Sequence, residues 1–272
     1  MPIPVVKAHA YGNDFLLVED AAAGDDASRL ARTLCHRHSG IGADGLLLYR
    51  MQAGGATMRL LNADGSASEL SGNGLRCLAA LVARERKSGP GDIVTIVTDA
   101  GTKRLELRGR EGHRLTFRAD MGAPEGIRQA SIQAAGETVT ATILRTGNPQ
   151  CILLGPLPDA GRFNRLGPAI ATHAMFPEGT NVEFVEVEAP DRVRIAIWER
   201  GVGPTTSSGT GSCASAVAAA VYGGAAREMD VIAPGGTQRV EWREEGIFLT
   251  GWAEILLEGQ WLAQAEARAL RT

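Results

Sequence analysis

The chain has 272 residues, of which 44% are hydrophobic and 22% charged, and its formal net charge is −3. This balance is typical of a globular protein with one large or two medium domains, and it disfavours a nucleic-acid partner, which needs a basic face. No apolar run predicts a membrane span and no leader pattern is visible, so we expect a cytoplasmic protein. The four cysteines form no C-x-x-C pair, which predicts buried, reduced thiols and no metal site.

The first half of the chain alternates short apolar runs, typical of strands, with two helical patterns. Asp25 or Asp26 can cap a helix that continues to Cys35, and residues 36–42 end it. Residues 75–83 are apolar nearly all round, which predicts a buried helix. The predicted strands are 4–8, 15–18, 46–49, 58–61, 93–98, 104–107 and 114–118.

The second half repeats this scheme after a Gly/Pro-containing stretch at 120–124, which predicts a boundary between the halves. One helix is predicted over 163–174. A second, buried helix is predicted over 212–221 and ends at the Gly-Gly pair that follows. The predicted strands are 138–144, 151–154, 182–187, 193–198, a strand at 231, 240–242, 248–250 and 253–257.

Two similar motifs, Ser71-Gly72-Asn73-Gly74 and Ser208-Gly209-Thr210-Gly211, each lead directly into one of the buried helices. They lie 137 residues apart, which is half of the chain length to within a residue. This spacing indicates an internal duplication, and two similar halves that face each other form a cleft suited to a small molecule.

Glycines at the start of a helix leave backbone N–H groups free, and the helix dipole adds partial positive charge there. Two such helix N-termini could hold one anionic centre between them. The alternative is that both motifs are only N-caps, a role in which serine is favoured. Neither motif has the spacing of a dinucleotide or nucleotide loop.

Sequence motifs along nearly the whole chain resemble the diaminopimelate epimerase family. The motifs are KAHAYGNDF (7–15), NADGS (62–66), GNGLRC (72–77), GNP (147–149), NVEF (181–184), WERG (198–201) and GTG (209–211). The resemblance implies a mixed α/β (α+β) fold of two pseudo-symmetric halves, each a barrel-like mixed β-sheet wrapped around a central buried helix. The first half would comprise 1–120 together with 258–272, which return to it, and the second half 121–257.

The resemblance also implies an isomerase that needs no cofactor and no metal. Two bases would flank the α-carbon of an amino acid, one removing a proton and the other delivering one to the opposite face. In the family both bases are cysteines, whose thiol pKa a helix N-terminus lowers. Here serines, Ser71 and Ser208, stand at both positions. The family's histidine after Gly-Asn-Pro is Gln150 in this chain, and a glutamate usual after Gly203 is Pro204.

The remaining site positions match the family. The predicted catalytic groups are Ser71, Ser208 and Glu199, with Arg200 as a possible charge partner of Glu199. The predicted substrate-binding residues are Asn13, Asn62, Gly72, Asn73, Asn148, Asn181, Glu199, Arg200, Gly209 and Thr210.

The first functional hypothesis is therefore the interconversion of L,L- and meso-diaminopimelate, in lysine and peptidoglycan biosynthesis, by a homodimer. Because a serine hydroxyl is a weak acid that needs a neighbouring base, three explanations of the two serines stay open. They are a diverged isomerase or dehydratase of an amino or hydroxy acid, a catalytically silent amino-acid binder, and a Cys-to-Ser variant.

Overall fold

The computed structural model describes residues 2–68, 71–99 and 101–262. The strands of the first half are β1 (Ile3–Ala10), β2 (Asn13–Glu19), β3 (Gly45–Gln52), β4 (Gly55–Asn62), β5 (Ala67–Ser68), β6 (Ile93–Thr98), β7 (Gly101–Glu111) and β8 (Arg114–Gly122). Its helices are a short 3-10 turn (Asp20–Ala22), α1 (Ala27–Cys35) and α2 (Gly72–Glu85). Asp26 caps α1 as predicted, because its carboxylate accepts a hydrogen bond from Arg29 N.

The second half has the same kind of elements in the same order. Its strands are β9 (Glu125–Ala134), β10 (Glu137–Arg145), β11 (Pro149–Leu154), β12 (Asn181–Ala189), β13 (Arg192–Glu199), β14 (Gly203–Thr205), β15 (Glu228–Ala233), β16 (Gly236–Arg243) and β17 (Gly246–Trp261). Its helices are α3 (Ala160–Ala171) and α4 (Gly209–Tyr222). In the described part of the chain, no helix is long and apolar enough to span a membrane.

Strands β1, β2, β3, β4, β6, β7, β8 and β17 pair in that order, and β17 closes the barrel by pairing with β1. The pairs β2–β3 and β4–β6 are parallel, since α1 and α2 cross over between them. Residues 72–83 of α2 are all buried, and α2 contacts strands around the barrel. The prediction of a buried helix inside a barrel-like sheet is confirmed.

The second half pairs β9, β10, β11, β12, β13, β15, β16 and β17 in that order. Its parallel pairs, β11–β12 and β13–β15, occupy the equivalent places and are crossed by α3 and α4. Helix α4 consists mostly of small residues, and residues 209–219 are all buried. The α+β class and the pseudo-symmetry of the two halves follow from these matched pairings.

Strand β17 belongs to both halves. Its first residues pair with β16, residues 247–254 pair with β8, and residues 254–261 pair with β1. We expected residues 258–272 to return to the first half, and this segment starts inside β17. Its last part, 263–272, lies outside the described residues. Elements predicted separately at 248–250 and 253–257 are one strand that continues through Gly251.

The sequence pattern predicted two strands here, but Gly251 does not end the strand; it has a packing role. A Cβ there would lie 3.0 Å from the Tyr11 hydroxyl oxygen and 3.4 Å from the Arg76 guanidinium carbon. Two other boundaries also differ from the prediction. Helix α3 starts three residues early, because Asp159 caps it. Strand β9 was not predicted, because six of its ten residues are exposed and the alternation of its apolar residues is weak.

Candidate active site

The two serines of the paired motifs are the N-caps of α2 and α4. Ser71 Oγ accepts a hydrogen bond from Gly74 N at 3.1 Å, and Ser208 Oγ accepts one from Gly211 N at 3.0 Å. The cap is therefore the same at both helices, and each hydroxyl stands at a positive helix terminus.

The helix N-termini meet at the two glycines that follow the serines. A Cβ on Gly72 would lie 3.4 Å from the Cα of Gly209, and one on Gly209 would lie 3.2 Å from Leu249 Cδ2. Larger residues would separate the two helices. The approach of two N-termini concentrates partial positive charge at the junction of the halves, where a carboxylate or a developing anion is stabilised.

A cavity of about 660 Å³ opens beside this junction. Among the predicted site residues, those that line it are Asn13, Asn62, Ser71, Glu199 and Arg200. Asn62 is held by its own turn, because its amide nitrogen donates to Ser66 Oγ at 2.9 Å. The cavity thus brings residues from both halves to one surface.

The other predicted residues are buried or half-buried near the helix N-termini and do not line the cavity. Ser208 is 6% exposed, Thr210 8%, Asn73 2% and Asn181 4%. Gly72 and Gly209 are buried, and Asn148 is half-buried.

The Asn73 side chain connects the two halves. Its amide nitrogen donates to Asn13 Oδ1 at 3.1 Å and to the carbonyl oxygen of Ser207 at 3.4 Å. Its oxygen accepts from the guanidinium of Arg76, which is fully buried. Because both ends of this amide have protein partners, Asn73 positions the cavity wall through Asn13.

A charged cluster holds Asn13 from the other side. Asn13 Nδ2 donates to Asp44 Oδ2 at 2.7 Å, and Arg37 contacts both Asp14, at 2.9 Å, and Asp44, at 2.6 Å. The Arg37 and Lys7 partners hold the pKa of Asp14 below its usual range, although burial acts in the opposite direction. Asp44 therefore presents a fixed negative charge to the cavity.

Glu199 is a half-buried carboxyl at the cavity wall. Burial, together with the charge of Asp44, raises its pKa to about 6. The predicted charge pairing with Arg200 is wrong: no ion pair joins these two described residues. Arg200 Nη1 instead donates to the carbonyl oxygen of Glu178 at 2.8 Å.

Behind the N-terminus of α4 lies a row of polar side chains on neighbouring strands. Gln150 pairs with Asn181 across β11 and β12, and the nitrogen of the Gln150 amide is placed 2.6 Å from Asn148 Oδ1. With the amide turned over, its nitrogen donates to both oxygens of Glu183 at 3.1 Å, and its oxygen accepts from Asn181 Nδ2 and Thr210 Oγ1 at 3.2 Å. The turned orientation provides partners for Glu183, and we adopt it. It also brings the Gln150 oxygen to 2.6 Å from the side-chain oxygen of Asn148, so the Asn148 amide must turn with it in order to donate its N–H.

The sequence analysis did not identify several of these residues. Arg37 and Asp44 line the cavity, as do Ser66, Ser68 and Thr206. The sequence analysis assigned residues 36–42 only to the end of a helix. Asp44 comes two residues after Gly42, whose φ is 82°. An acidic residue in such a glycine-rich turn before an apolar strand is the signal that could have identified it.

The four cysteines are buried and unpaired, as predicted, and each belongs to a hydrophobic core cluster. Over residues 2–68, 71–99 and 101–262, no group of three or more His, Cys, Asp or Glu side chains is placed to hold a metal ion.

Comparisons with known proteins agree on one family. The family model described as diaminopimelate epimerase matches residues 5–127 and 142–256. The diaminopimelate epimerase of Desulforudis audaxviator is 41% identical over 276 residues, covering 94% of this chain and 98% of the relative. That of Desulfitobacterium hafniense is 36% identical, covering 96% and 99%.

Solved structures with low sequence identity share the fold. A predicted epimerase from Pseudomonas aeruginosa has a TM-score of 0.76 at 16% identity, covering 96% of this chain and 99% of the other. A probable proline racemase from Agrobacterium radiobacter, solved with bound carbonate, has a TM-score of 0.74 at 16% identity, covering 98% and 94%. The same architecture therefore occurs in proteins with widely different sequences.

Proposed function

The chain belongs to the diaminopimelate epimerase family, and we propose that it interconverts L,L- and meso-diaminopimelate by moving a proton at one α-carbon, without a cofactor. The observation that supports this most is the meeting of two serine-capped helix N-termini at Gly72 and Gly209. Removal of an α-proton places negative charge on the adjacent carboxylate. Fixed N–H groups stabilise this charge without reorganising.

In this proposal Ser71 and Ser208 occupy the two proton-transfer positions, on opposite faces of the α-carbon. Backbone amides of Gly72, Asn73, Gly209 and Thr210 hold the α-carboxylate. The near part of the substrate contacts Asn13 and Asn148. The distal part, which carries a second ammonium and a second carboxylate, contacts Asn62, Asn181, Glu199 and Arg200.

The charges of the cavity wall suit a substrate with both signs of charge. Arg37 and Arg200 provide guanidinium groups, and Asp44 and Glu199 provide carboxyls. Glu199, whose pKa is about 6, is ionised at neutral pH and can accept hydrogen bonds from a substrate ammonium group.

A second candidate is favoured by the two serines. An unassisted hydroxyl is a far weaker acid than a thiol, and a helix dipole worth about 1 kcal/mol cannot make it a standing base. A diverged isomerase or dehydratase that acts at the same carbon, or a binder without catalysis, would need no standing base on both faces.

The test is incubation with L,L- and meso-diaminopimelate in D₂O, followed by NMR of the α-protons and chiral analysis of the product. Stereoinversion with deuterium uptake supports the proposal. Net loss of water supports a dehydratase, and binding without exchange supports the silent binder. Either of these two results would reject the epimerase.

The double substitution Ser71→Cys and Ser208→Cys is the matched experiment on the same scaffold. If only the two hydroxyls limit proton transfer, the thiols raise the exchange rate, because a thiolate forms far more readily at a helix N-terminus. An unchanged rate would mean that Gln150 and Pro204 have also altered the site.

The homodimer, the cytoplasmic location and the place in lysine and peptidoglycan biosynthesis belong to the same proposal. Light scattering after gel filtration measures the oligomeric state, and complementation of a bacterial strain that requires diaminopimelate tests the pathway. A monomer or a failure to complement would remove the corresponding part of the proposal.

A further inference from the structure

Arg76 is a fully buried cation on α2, the central helix of the first half. Its exposed fraction is 0%, and its guanidinium carbon lies 5.8 Å from the centre of the Tyr11 ring. Its Nη2 donates to Oδ1 of Asn73, one turn earlier on the helix, while Nε and Nη1 have no hydrogen-bond partner in the described part of the chain. Because unpaired buried N–H groups cost stability, an apolar side chain of the same length would fill this site at least as well.

The contact with Arg76 fixes the direction in which the Asn73 amide points. Burial lowers the pKa of Arg76, but a guanidinium stays protonated in proteins and can only donate hydrogen bonds. The Asn73 oxygen must therefore face Arg76, and its NH₂ group must face the opposite way. There the Asn73 nitrogen lies 3.1 Å from Asn13 Oδ1 and 3.4 Å from both the carbonyl oxygen and Oγ of Ser207.

The same constraint passes to Asn13 in the cavity wall. Asn13 Oδ1 accepts from Asn73, so the Asn13 nitrogen is turned to Asp44, where it donates to Oδ2 at 2.7 Å. A side-chain amide has two N–H groups, and these contacts use one of them, which leaves the other for a ligand in the cavity that Asn13 lines. The row from Arg76 to Asp44 thus begins at a cation and ends at a carboxylate, and each amide in it has one favoured orientation.

A second branch of this network reaches the other half of the chain. Ser207 directly precedes Ser208, the N-cap of α4, and is 3% exposed. Gln238 on β16, which is also buried, donates to Ser207 Oγ at 3.4 Å. Ser207 is therefore held from the first half by Asn73 and from the second half by Gln238. The direction of the Asn73 amide consequently affects how the N-termini of α2 and α4 align at the junction.

We propose that Arg76 is a positioning residue for the reaction: by fixing the Asn73 amide, it turns an N–H group of Asn13 toward the substrate and aligns the N-termini of α2 and α4. This inference rests on the proposed function. Since Arg76 is fully buried, it does not touch the substrate, and it acts through Asn73. A fixed N–H group contributes to the reaction because it needs no reorientation when the substrate binds or when charge develops on it.

The first test compares Arg76→Met with Arg84→Met, the same change in the last turn of the same helix, where Arg84 pairs with Glu85 and Glu258. Arg76→Met should lower kcat/KM for stereoinversion about 10-fold or more, the effect of losing one hydrogen bond to a charged group. It should not lower the free energy of unfolding, and Arg84→Met should retain the rate. An unchanged rate in Arg76→Met, or a loss of rate accompanied by a loss of stability, would overturn the inference.

A second measurement does not depend on activity. With isotope-labelled asparagine, NMR signals of the side-chain amides of Asn13, Asn73 and Asn62 report the surroundings of each amide. Arg76→Met should shift or broaden the signals of Asn13 and Asn73, because the Asn73 amide can then turn over. Asn62 is the internal control, since it donates to Ser66 Oγ in its own turn. An unmoved Asn13 signal, or an equal change at Asn62, would contradict the proposed role of Arg76.

The variant Asn73→Ala decides whether Arg76 acts through Asn73. It removes the amide and should shift the Asn13 signal by itself, which also tests the network if Arg76→Met does not fold. In Asn73→Ala, adding Arg76→Met should lower kcat/KM and the affinity for diaminopimelate little further, because residues of one network do not contribute additively. Additive losses would reject the route through Asn73. If the wild-type protein neither exchanges the α-proton nor binds diaminopimelate, the proposed function fails, and the amide signals still decide the role of Arg76.

Discussion

Replacing Glu183 by glutamine should make the protein more stable, and increasingly so as the pH rises. The carboxyl is fully buried, and burial raises its pKa in the folded protein. In the unfolded chain the same group is exposed to water and ionises near the ordinary glutamate pKa of 4.5. Above that pH, folding must return a proton to Glu183, and this uptake opposes folding.

The size of the effect follows from the difference in bound protons. Below the pKa that Glu183 has in the unfolded chain, the carboxyl is protonated in both the folded and the unfolded state. The stabilities of the wild-type protein and Glu183→Gln should then differ only through the local hydrogen bonds. Above that pKa, and until the raised folded pKa is reached, wild-type stability falls by about 1.4 kcal/mol per pH unit relative to the variant. The amide of the variant carries no charge, so it does not have this cost.

Denaturant unfolding of both proteins, at intervals from about pH 5 to pH 8, measures the difference directly. Glu186→Gln is the control, because its side chain is only partly buried and a carboxylate there stays in contact with solvent. A stability difference between wild type and Glu183→Gln that is constant over this range would refute the assignment of Glu183 as a buried neutral acid.

The remaining predictions concern the cavity and the core. Since burial and Asp44 raise the pKa of Glu199 to about 6, α-proton exchange that needs its ionised form should fall as the pH drops through this value. Asp44→Asn should move the midpoint of the pH–rate profile to lower pH; a shift upwards or none would contradict the stated cause. In Gly55→Ala, the new methyl group would overlap the carbonyl oxygen of Thr95, so denaturant unfolding should show a loss of more than about 1 kcal/mol. Phe117→Ala empties a fully buried site and should cost about 3–5 kcal/mol in the same assay; a loss below about 1 kcal/mol would mean that the barrel collapses around the gap.

Local sequence patterns predicted the structure correctly wherever residues close together in the chain determine it. Asp26 caps α1 because its carboxylate reaches an amide three residues away. Likewise Ser71 and Ser208 cap α2 and α4. The two central helices are apolar nearly all round, which is typical of a helix that other elements cover on every side. The internal repeat then predicts two such units.

Patterns failed where a distant residue decides the outcome. Gly251 looks like a break between strands, but its missing side chain makes room for Tyr11, which is 240 positions away in the chain. Arg200 looks like a partner for the adjacent Glu199, but its guanidinium donates to the carbonyl oxygen of Glu178 instead. Neither fact can be derived from the residues near it.

The two helix N-termini, the serines that begin them and the duplication that pairs them were predictable from the sequence, because helix capping and periodicity are local properties. The different surroundings of the two serines became visible in the folded structure. Strand pairing carries Glu183 to the space left by Gly211, whereas among the described residues the atoms nearest to the equivalent Gly74 belong to Leu47 and Ser71. The physical reason is that the pKa of a carboxyl depends on burial and on charges brought near by folding, and residues distant in the chain supply both.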